Sequence, residues 1–401
     1  MITVEEIKQV VAANREEAIT LLVEALQSPS PTGYEGPMAE TMLKWLDKLN
    51  IEINTYEYAE GRPNIIAEWK GSQPGKRFLF NGHMDVFPPN DGDNGLYGPW
   101  SGKIVDGIAY GRGACDMKSG DCAAYMAVKL LKQMGFDPKG SIVLNYVVDE
   151  ENGAGMGTKA LVNDGLLKAD IGISMEPSDG MIKLAHGGVR FAGLKIYGDG
   201  GPAAVPLHEN KFGRQDAGQK SVPALKALYE LRDHIFATQK AQNSITPILS
   251  VTTIRAGEAT NLCPSEVNLT IDRRYLPGES VEMVDEEIIA AMEAVKKEDP
   301  TFTYEYIRNG HMPPYSIDED GYMVKIMDQA YEELFGEKPG HFRKMGGTDA
   351  SYIRADCGVD MPWAGPGAHD NGPATPNESV PVDQYLNFIQ WYMYVLVKTM
   401  G

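Results

Sequence analysis

His83, Asp85, Asp116, the adjacent pair Glu150 and Glu151, and Glu176 are the side chains of this sequence best suited to holding a cation and moving a proton. His83 and Asp85 are two residues apart, so in extended chain both leave the same face. A metal-bound imidazole commonly donates its other N–H to a carboxylate, which fixes the tautomer. Asp85 is spaced to accept that bond or to orient the ring indirectly; the bland alternative is a turn histidine beside an incidental acid. Asp149-Glu150-Glu151 sets three carboxylates in a row, whose repulsion is costly without a cation, although solvated acidic turns are common. Adjacent side chains point to opposite sides, so one glutamate can bind metal while the other stays free. A cation brings the pKa of water it binds to roughly 7, and a free carboxylate nearby can then take the proton. Glu176, followed by Pro177, supplies another hard oxygen. Asp116 lies in Gly111-Arg112-Gly113-Ala114-Cys115-Asp116-Met117-Lys118-Ser119-Gly120, a glycine-rich approach to a helix without Walker or dinucleotide spacing. It reads either as a metal-bridging carboxylate between strand ends or as a helix N-cap.

Apolar runs precede three of these positions: Phe78-Leu79-Phe80, Ile142 to Val148, and Ile171-Gly172-Ile173. In an open α/β sheet, ligands gather at the carboxyl ends of the strands. His83, Glu150, Glu151 and Glu176 are therefore expected to converge there. Strand and helix signals alternate as far as Glu176, which predicts an α/β fold with a mixed, mostly parallel sheet. Helices are expected over 3–28, 36–48 and 119–134, with a turn-rich break at Ser28 to Gly33. Beyond Val189 the pattern changes to a half-buried strand over 189–197, a helix at 221–238, strands at 248–255 and 265–275, a helix at 280–297 and a strand at 301–307. That order is that of a ferredoxin-like α/β sandwich. Gly310 to Pro314 reads as a return linker before a helix over 320–335. The expected organisation is a catalytic domain in two segments, 1–185 and 312–401, interrupted by an inserted lid or dimerisation domain at 186–311.

At 401 residues the chain exceeds the size at which one hydrophobic core keeps growing. Its 43% apolar and 23% charged residues are those of a globular protein. A net charge of −19 disfavours nucleic acid and anionic membrane as partners, and no apolar run reaches the roughly 20 residues that span a bilayer. Cys115, Cys122, Cys263 and Cys357 form no paired motif, which suits a reducing cytoplasm.

Taken together, these residues resemble the dinuclear-zinc deacylases and peptidases, a family that includes acetylornithine deacetylase, succinyl-diaminopimelate desuccinylase, aminoacylase-1 and glutamate carboxypeptidases. The likeness runs from Pro29-Ser30-Pro31-Thr32-Gly33 through Gly82-His83-Met84-Asp85, the Asp116 loop, Glu150-Glu151 and Met175-Glu176-Pro177. It continues in Asn261-Leu262-Cys263-Pro264, Asp272 to Gly278, Gly346-Gly347-Thr348-Asp349-Ala350, Gly365-Pro366-Gly367 and Thr375-Pro376-Asn377-Glu378. The resemblance implies that His83 and Glu176 bind one metal, with Asp85 orienting His83. It makes Asp116 the bridge, Glu151 a ligand of the second metal and Glu150 the general base. It also implies substrate contacts from Arg274 and Asn261, and a homodimer formed through the inserted domain.

Two histidines that the family would carry are replaced here. Ala374 stands at the position of a late metal ligand, and Pro202 at that of a histidine that polarises the scissile carbonyl across the dimer. His369 is a candidate replacement ligand and His208 a candidate replacement donor. One site keeps His83, Asp116 and Glu176, a set that suits Zn²⁺ or Mn²⁺; the other keeps only Asp116 and Glu151. The leading expectation is a cytoplasmic metal-dependent hydrolase of a C–N bond in a small carboxylate-bearing substrate, an N-acyl amino acid deacylase or dipeptidase. A single-metal aminohydrolase acting on a non-peptide C–N bond, such as that of an aromatic amine, is the alternative. An inactive homologue serving as a binding protein is a third reading, which the retained acids oppose.

Overall fold

Phe78, Leu79 and Phe80 are all fully buried, the mark of a strand covered on both faces. They lie in the central sheet of the computed structural model, which describes residues 2–89, 96–204, 216–242, 244–367, 372 and 374–401. The chain divides into two compact units. One comprises Met1–Leu184, Ile317–Phe342 and Thr348–Gly401; the other comprises Ala185–Ser316 and Arg343–Gly347.

The first unit is built on strands β1 (Glu52–Glu57), β2 (Pro63–Lys70), β3 (Gln73–His83), β4 (Lys139–Val147), β5 (Ile171–Pro177), β6 (Ile182–His186) and β7 (Trp363–Gly365). Their order is β1-β2-β4-β3-β5-β7-β6. The centre, β4-β3-β5-β7, is parallel, and antiparallel pairs flank it on both sides. The fold is thus the expected mixed α/β class with a parallel core. Alternation along β3 sorts the two faces. Phe80 packs on Tyr392 of the Val382–Met400 helix with ring centroids 5.1 Å apart. Leu79 turns to the opposite face and joins Val143, Leu161 and Ile353.

The second unit carries a four-stranded antiparallel sheet in the order Ile248–Ala256, Glu266–Tyr275, Gly188–Tyr197, Tyr304–Met312. Helices Ala217–Thr238 and Val281–Glu298 supply Leu228, Ile235, Ile288 and Met292 to its core. The chain order is that of a ferredoxin-like sandwich.

Two local expectations are corrected. The N-terminal helix is interrupted into Val4–Ala13 and Arg15–Leu26. At the break, the Asn14 side chain donates to the Val10 carbonyl at 2.8 Å, a local bond that competes with the helical ladder. The last strand of the second unit runs on to Met312, through a register shift between Arg308 and Gly310 that admits the glycine expected to begin a linker.

Packing is close around Met175, just before Glu176. A methyl group at Gly365 would lie 1.9 Å from the Met175 carbonyl oxygen, and one at Gly120 would lie 2.3 Å from it. Neither backbone can yield without moving β5. The Gly365→Ala variant is expected to lose about 3 kcal/mol of stability, at the upper end for an overpacked core. A thermal midpoint equal to that of the parent would show that β5 has slack.

Candidate metal centre

Strand register brings the candidate ligand residues together. Asn81 of β3 pairs with Ser174 of β5, and two residues further along each strand stand His83 and Glu176. His83 itself pairs with Val147 of β4. Beyond Val147 the backbone turns at Asp149, which has a φ of 68°, into a short 3-10 turn over Glu150–Asn152. Arg62 makes that turn tolerable by neutralising Asp149 from 3.0 Å and Glu35 from 2.6 Å. Asp116 arrives from the loop that leads into the Lys118–Gln133 helix.

The result is a cluster of one imidazole and four carboxylates. His83 Nε2 lies 3.1 Å from Asp116 Oδ1 and 3.7 Å from Glu176 Oε1. Ligand atoms of His83, Glu150 and Glu176 all fall within 4.8 Å of one another, and so do those of His83, Asp116 and Glu151. Glu150, expected as a base, therefore stands as close to His83 and Glu176 as a ligand would. The His83 ring is oriented by its other nitrogen, which lies 2.9 Å from the backbone carbonyl of Asp85. Nδ1–H as donor turns Nε2 toward the acids, where its lone pair would meet a bound cation.

Asp85 does more than stand behind the ring. Its carboxylate is 3.6 Å from Nδ1 and accepts hydrogen bonds from the backbone N–H of Glu150 at 3.0 Å and of Glu151 at 3.2 Å. Thr32 Oγ1 donates to it at 2.8 Å. One buried side chain thus ties the histidine strand to the turn that carries both glutamates. Glu378 has a comparable part that the sequence did not reveal. It accepts from the backbone N–H groups of Gly113, Cys115 and Asp116 at 3.0, 3.1 and 3.0 Å, and pairs with Arg112 at 2.8 Å. The signal was the glutamate of Thr375-Pro376-Asn377-Glu378; its partners are main-chain groups, which carry no sequence signature.

The acids are held in a costly state. Burial, then the charge of Glu176, raises the Glu150 carboxyl well above its ordinary value; burial, then Asp116, does the same to Glu151. Glu176 is pushed up to about 8 by burial and by Asp116. Burial favours the neutral His83 ring, but Glu176 and Asp116 outweigh it and hold that ring well above 6.5. Glu151 Oε1 is buried without a hydrogen-bond partner. Excess negative charge, an orphaned oxygen and an aimed imidazole fit a divalent cation.

Residues 79–398 match the model of "Peptidase family M20/M25/M40". The chain belongs to this family. It is 29% identical over 391 residues to succinyl-diaminopimelate desuccinylase of Paracoccus denitrificans, spanning 94% of this chain and 97% of that protein. It is 25% identical over 419 residues to N-formyl-4-amino-5-aminomethyl-2-methylpyrimidine deformylase of Halalkalibacterium halodurans, spanning 96% and 95%. The fold matches that of the M20 family metallo-carboxypeptidase Sso-CP2 from Sulfolobus solfataricus with a TM-score of 0.79 at 19% identity, over 95% of this chain and 98% of that one. This M20 protein is a metal-binding hydrolase of C–N bonds.

Ala374, with a φ of 60°, presents only a methyl group. Arg274, Asn261 and Pro202 belong to the second unit. There Arg274 is paired with Asp272 at 2.7 and 3.0 Å, and Pro202 pairs with Leu262 across a two-residue ladder. His208 and His369 fall outside the described residues.

A pH dependence follows for the metal-free enzyme. Folded Glu176 holds its proton up to about 8 against 4.5 ordinarily, so its contribution to stability is present below 4.5 and is lost as pH rises toward 8. His83, also raised, adds in the same direction above 6.5. A cation displaces both protons. Chelation is therefore expected to lower the thermal midpoint, by a margin that widens from about pH 5.5 to pH 8; a margin that narrows would contradict this charge balance.

Proposed function

We propose that this M20 enzyme hydrolyses the amide of a small N-acyl compound, an N-acyl amino acid or a dipeptide, with Glu150 as general base. The observation that carries the reading is the placement of Glu150 within 4.8 Å of the His83 and Glu176 ligand atoms, on a turn pinned by Asp85. His83, Asp116, Glu176 and Glu151 would hold Zn²⁺ or Mn²⁺. A cation bound there supplies Lewis acidity that polarises a carbonyl and acidifies water. Glu150 takes the proton of the attacking water and returns it to the leaving nitrogen. Burial, then the charge of Glu176, raises its carboxyl well above the ordinary value, which favours its holding the proton between the two halves of that transfer.

The desuccinylase and the deformylase both remove an acyl group, by their names, which supports an N-acyl substrate. Arg274 and Asn261 are the proposed substrate contacts, with the guanidinium as the group that binds a carboxylate. The second unit is also the proposed dimer surface. Its edge strand Ile248–Ala256 exposes Ile248 and Ile254, and the adjacent helix exposes Phe236 to 73%, features that unpartnered edges rarely retain. Four free cysteines support a cytoplasmic setting.

Ala374 and Pro202 favour keeping a second reading, a single-metal aminohydrolase. Neither side chain has a lone pair for a cation or a proton for an oxyanion, so a substrate that delocalises negative charge into its own ring suits the centre. Metal content separates the readings: about two ions per chain favours the deacylase, one the aminohydrolase, none a binding protein. Glu150→Gln is expected to lower turnover by about 10²–10⁴-fold while bound metal, read by elemental analysis, stays unchanged. Wild-type turnover in that variant would remove Glu150 as the base.

A further inference from the structure

One row below the ligands, the sheet changes from apolar to polar. Asn81 and Ser174 each stand two residues before a ligand, His83 and Glu176 respectively, so they leave the same face of their strands. Both are fully buried, as are Asn145, Thr158 and Thr348, with Asp349 nearly so. Asn145 Nδ2 donates to Asn81 Oδ1 at 2.6 Å, and Asn81 Nδ2 donates to Asp349 Oδ1 at 2.6 Å. Thr158 Oγ1 donates to the other Asp349 oxygen at 2.5 Å. The hydroxyls of Ser174 and Thr348 share a hydrogen bond of 2.9 Å. The neighbouring pair Thr348-Asp349 therefore grips β5 through Ser174 and β3 through Asn81.

Plain helix capping does not account for this. Asp349 precedes the Ala350–Cys357 helix, yet its side chain makes no capping bond there. Both its oxygens go to Asn81 and Thr158 instead. The surroundings on this face, Leu79 and Val143 among them, are apolar, and apolar residues could fill the row. A buried polar network adds a fixed geometry, because Asn81, Asp349 and Thr158 meet one another in only one arrangement; Asn145 joins it through its amide N–H alone, its oxygen being buried without a partner.

We propose that Asp349, with Asn81 and Thr158, is a positioning device: it fixes the carboxyl ends of β3 and β5 relative to each other and so sets His83 against Glu176. This rests on the metal-centre reading above and deepens it. The residue touches no reacting atom; it acts through the ligands, as partners behind a metal ligand commonly do.

The test is titration of metal-stripped protein with Zn²⁺, by competition against a chromophoric chelator, and with Co²⁺, whose absorption spectrum reports ligand geometry. Asp349→Asn turns one acceptor into a donor facing Asn81 or Thr158. Zn²⁺ affinity is expected to fall at least about tenfold, with an altered Co²⁺ spectrum. Adding Asn81→Asp reverses one donor and restores every hydrogen bond at the same net charge: residue 81 then accepts from residues 145 and 349, and the amide oxygen of 349 accepts from Thr158. The double variant is expected to recover most of the affinity and the parental spectrum. A folded Asp349→Asn protein with parental affinity and spectrum overturns the proposal, and so does a folded double variant without recovery. Should Asp349→Asn fail to fold, Thr158→Val removes one donor alone; weaker Zn²⁺ binding supports the proposal and unchanged binding overturns it. Failure of the parent protein to take up Zn²⁺ or Co²⁺ would sink the metal-centre reading itself. Equal uptake by parent and Asp349→Asn sinks only the positioning role.

Discussion

Like charges crowded out of water organise this protein. Glu150, Glu176 and Asp85 are buried with His83, while Asp116 and Glu151 are half-buried beside them, and no two of these acids gain from proximity. Burial strengthens their repulsion, because less solvent is present to screen it. The chain carries that cost at the ends of β3, β4 and β5, where strand polarity leaves room for a ligand. Most of the conspicuous features nearby serve to keep the acids from relaxing apart: the Asp85 grip on the Glu150-Glu151 turn, the Glu378 grip on the Asp116 loop, and the close approach of Gly120 and Gly365 to β5.

The Asp85 and Glu378 grips share a logic. The two grips each use one buried carboxylate to hold main chain as well as a neighbouring side chain. Asp85 takes two backbone N–H groups and Glu378 takes three. A carboxylate surrounded by N–H donors is stabilised where an isolated one is not, and it fixes a loop without restricting which side chains that loop displays. Arg62 completes the pattern by balancing Glu35 and Asp149 together, so that the acidic turn carries less net charge than its sequence suggests.

Much of the architecture was legible because it is periodic. Phe78 to His83, Ile142 to Val147 and Ile171 to Glu176 read as buried strands with polar ends, and alternation gave the parallel core. The strand–helix–strand–strand–helix–strand order of the second unit was legible in the same way. What escaped was aperiodic. The Asn14 break depends on one side chain competing for one carbonyl. Continuation of the last strand through Gly310 depends on a bulge. The roles of Glu378 and Asp349 depend on loops that return from more than 200 residues away; spacing along the chain cannot encode such a meeting. Asp85 shows the intermediate case: its distance from His83 suggested a partner for the ring, but register gave the ring the Asp85 carbonyl and left the carboxylate for the glutamate turn.

The histidine also limits what the centre can hold. Both candidate ligand groups include His83, yet Nδ1 is committed to the Asp85 carbonyl, so a single lone pair, that of Nε2, is available between them. One imidazole lone pair cannot serve two cations. Among the described residues, whichever ion takes Nε2 leaves the other group with carboxylate oxygens alone, hard donors that suit Mn²⁺ better than Zn²⁺. Ala374 adds no nitrogen to correct the imbalance. With the described ligands alone, two ions in this centre would therefore differ in affinity and in kind, an asymmetry that follows from one hydrogen bond behind one ring.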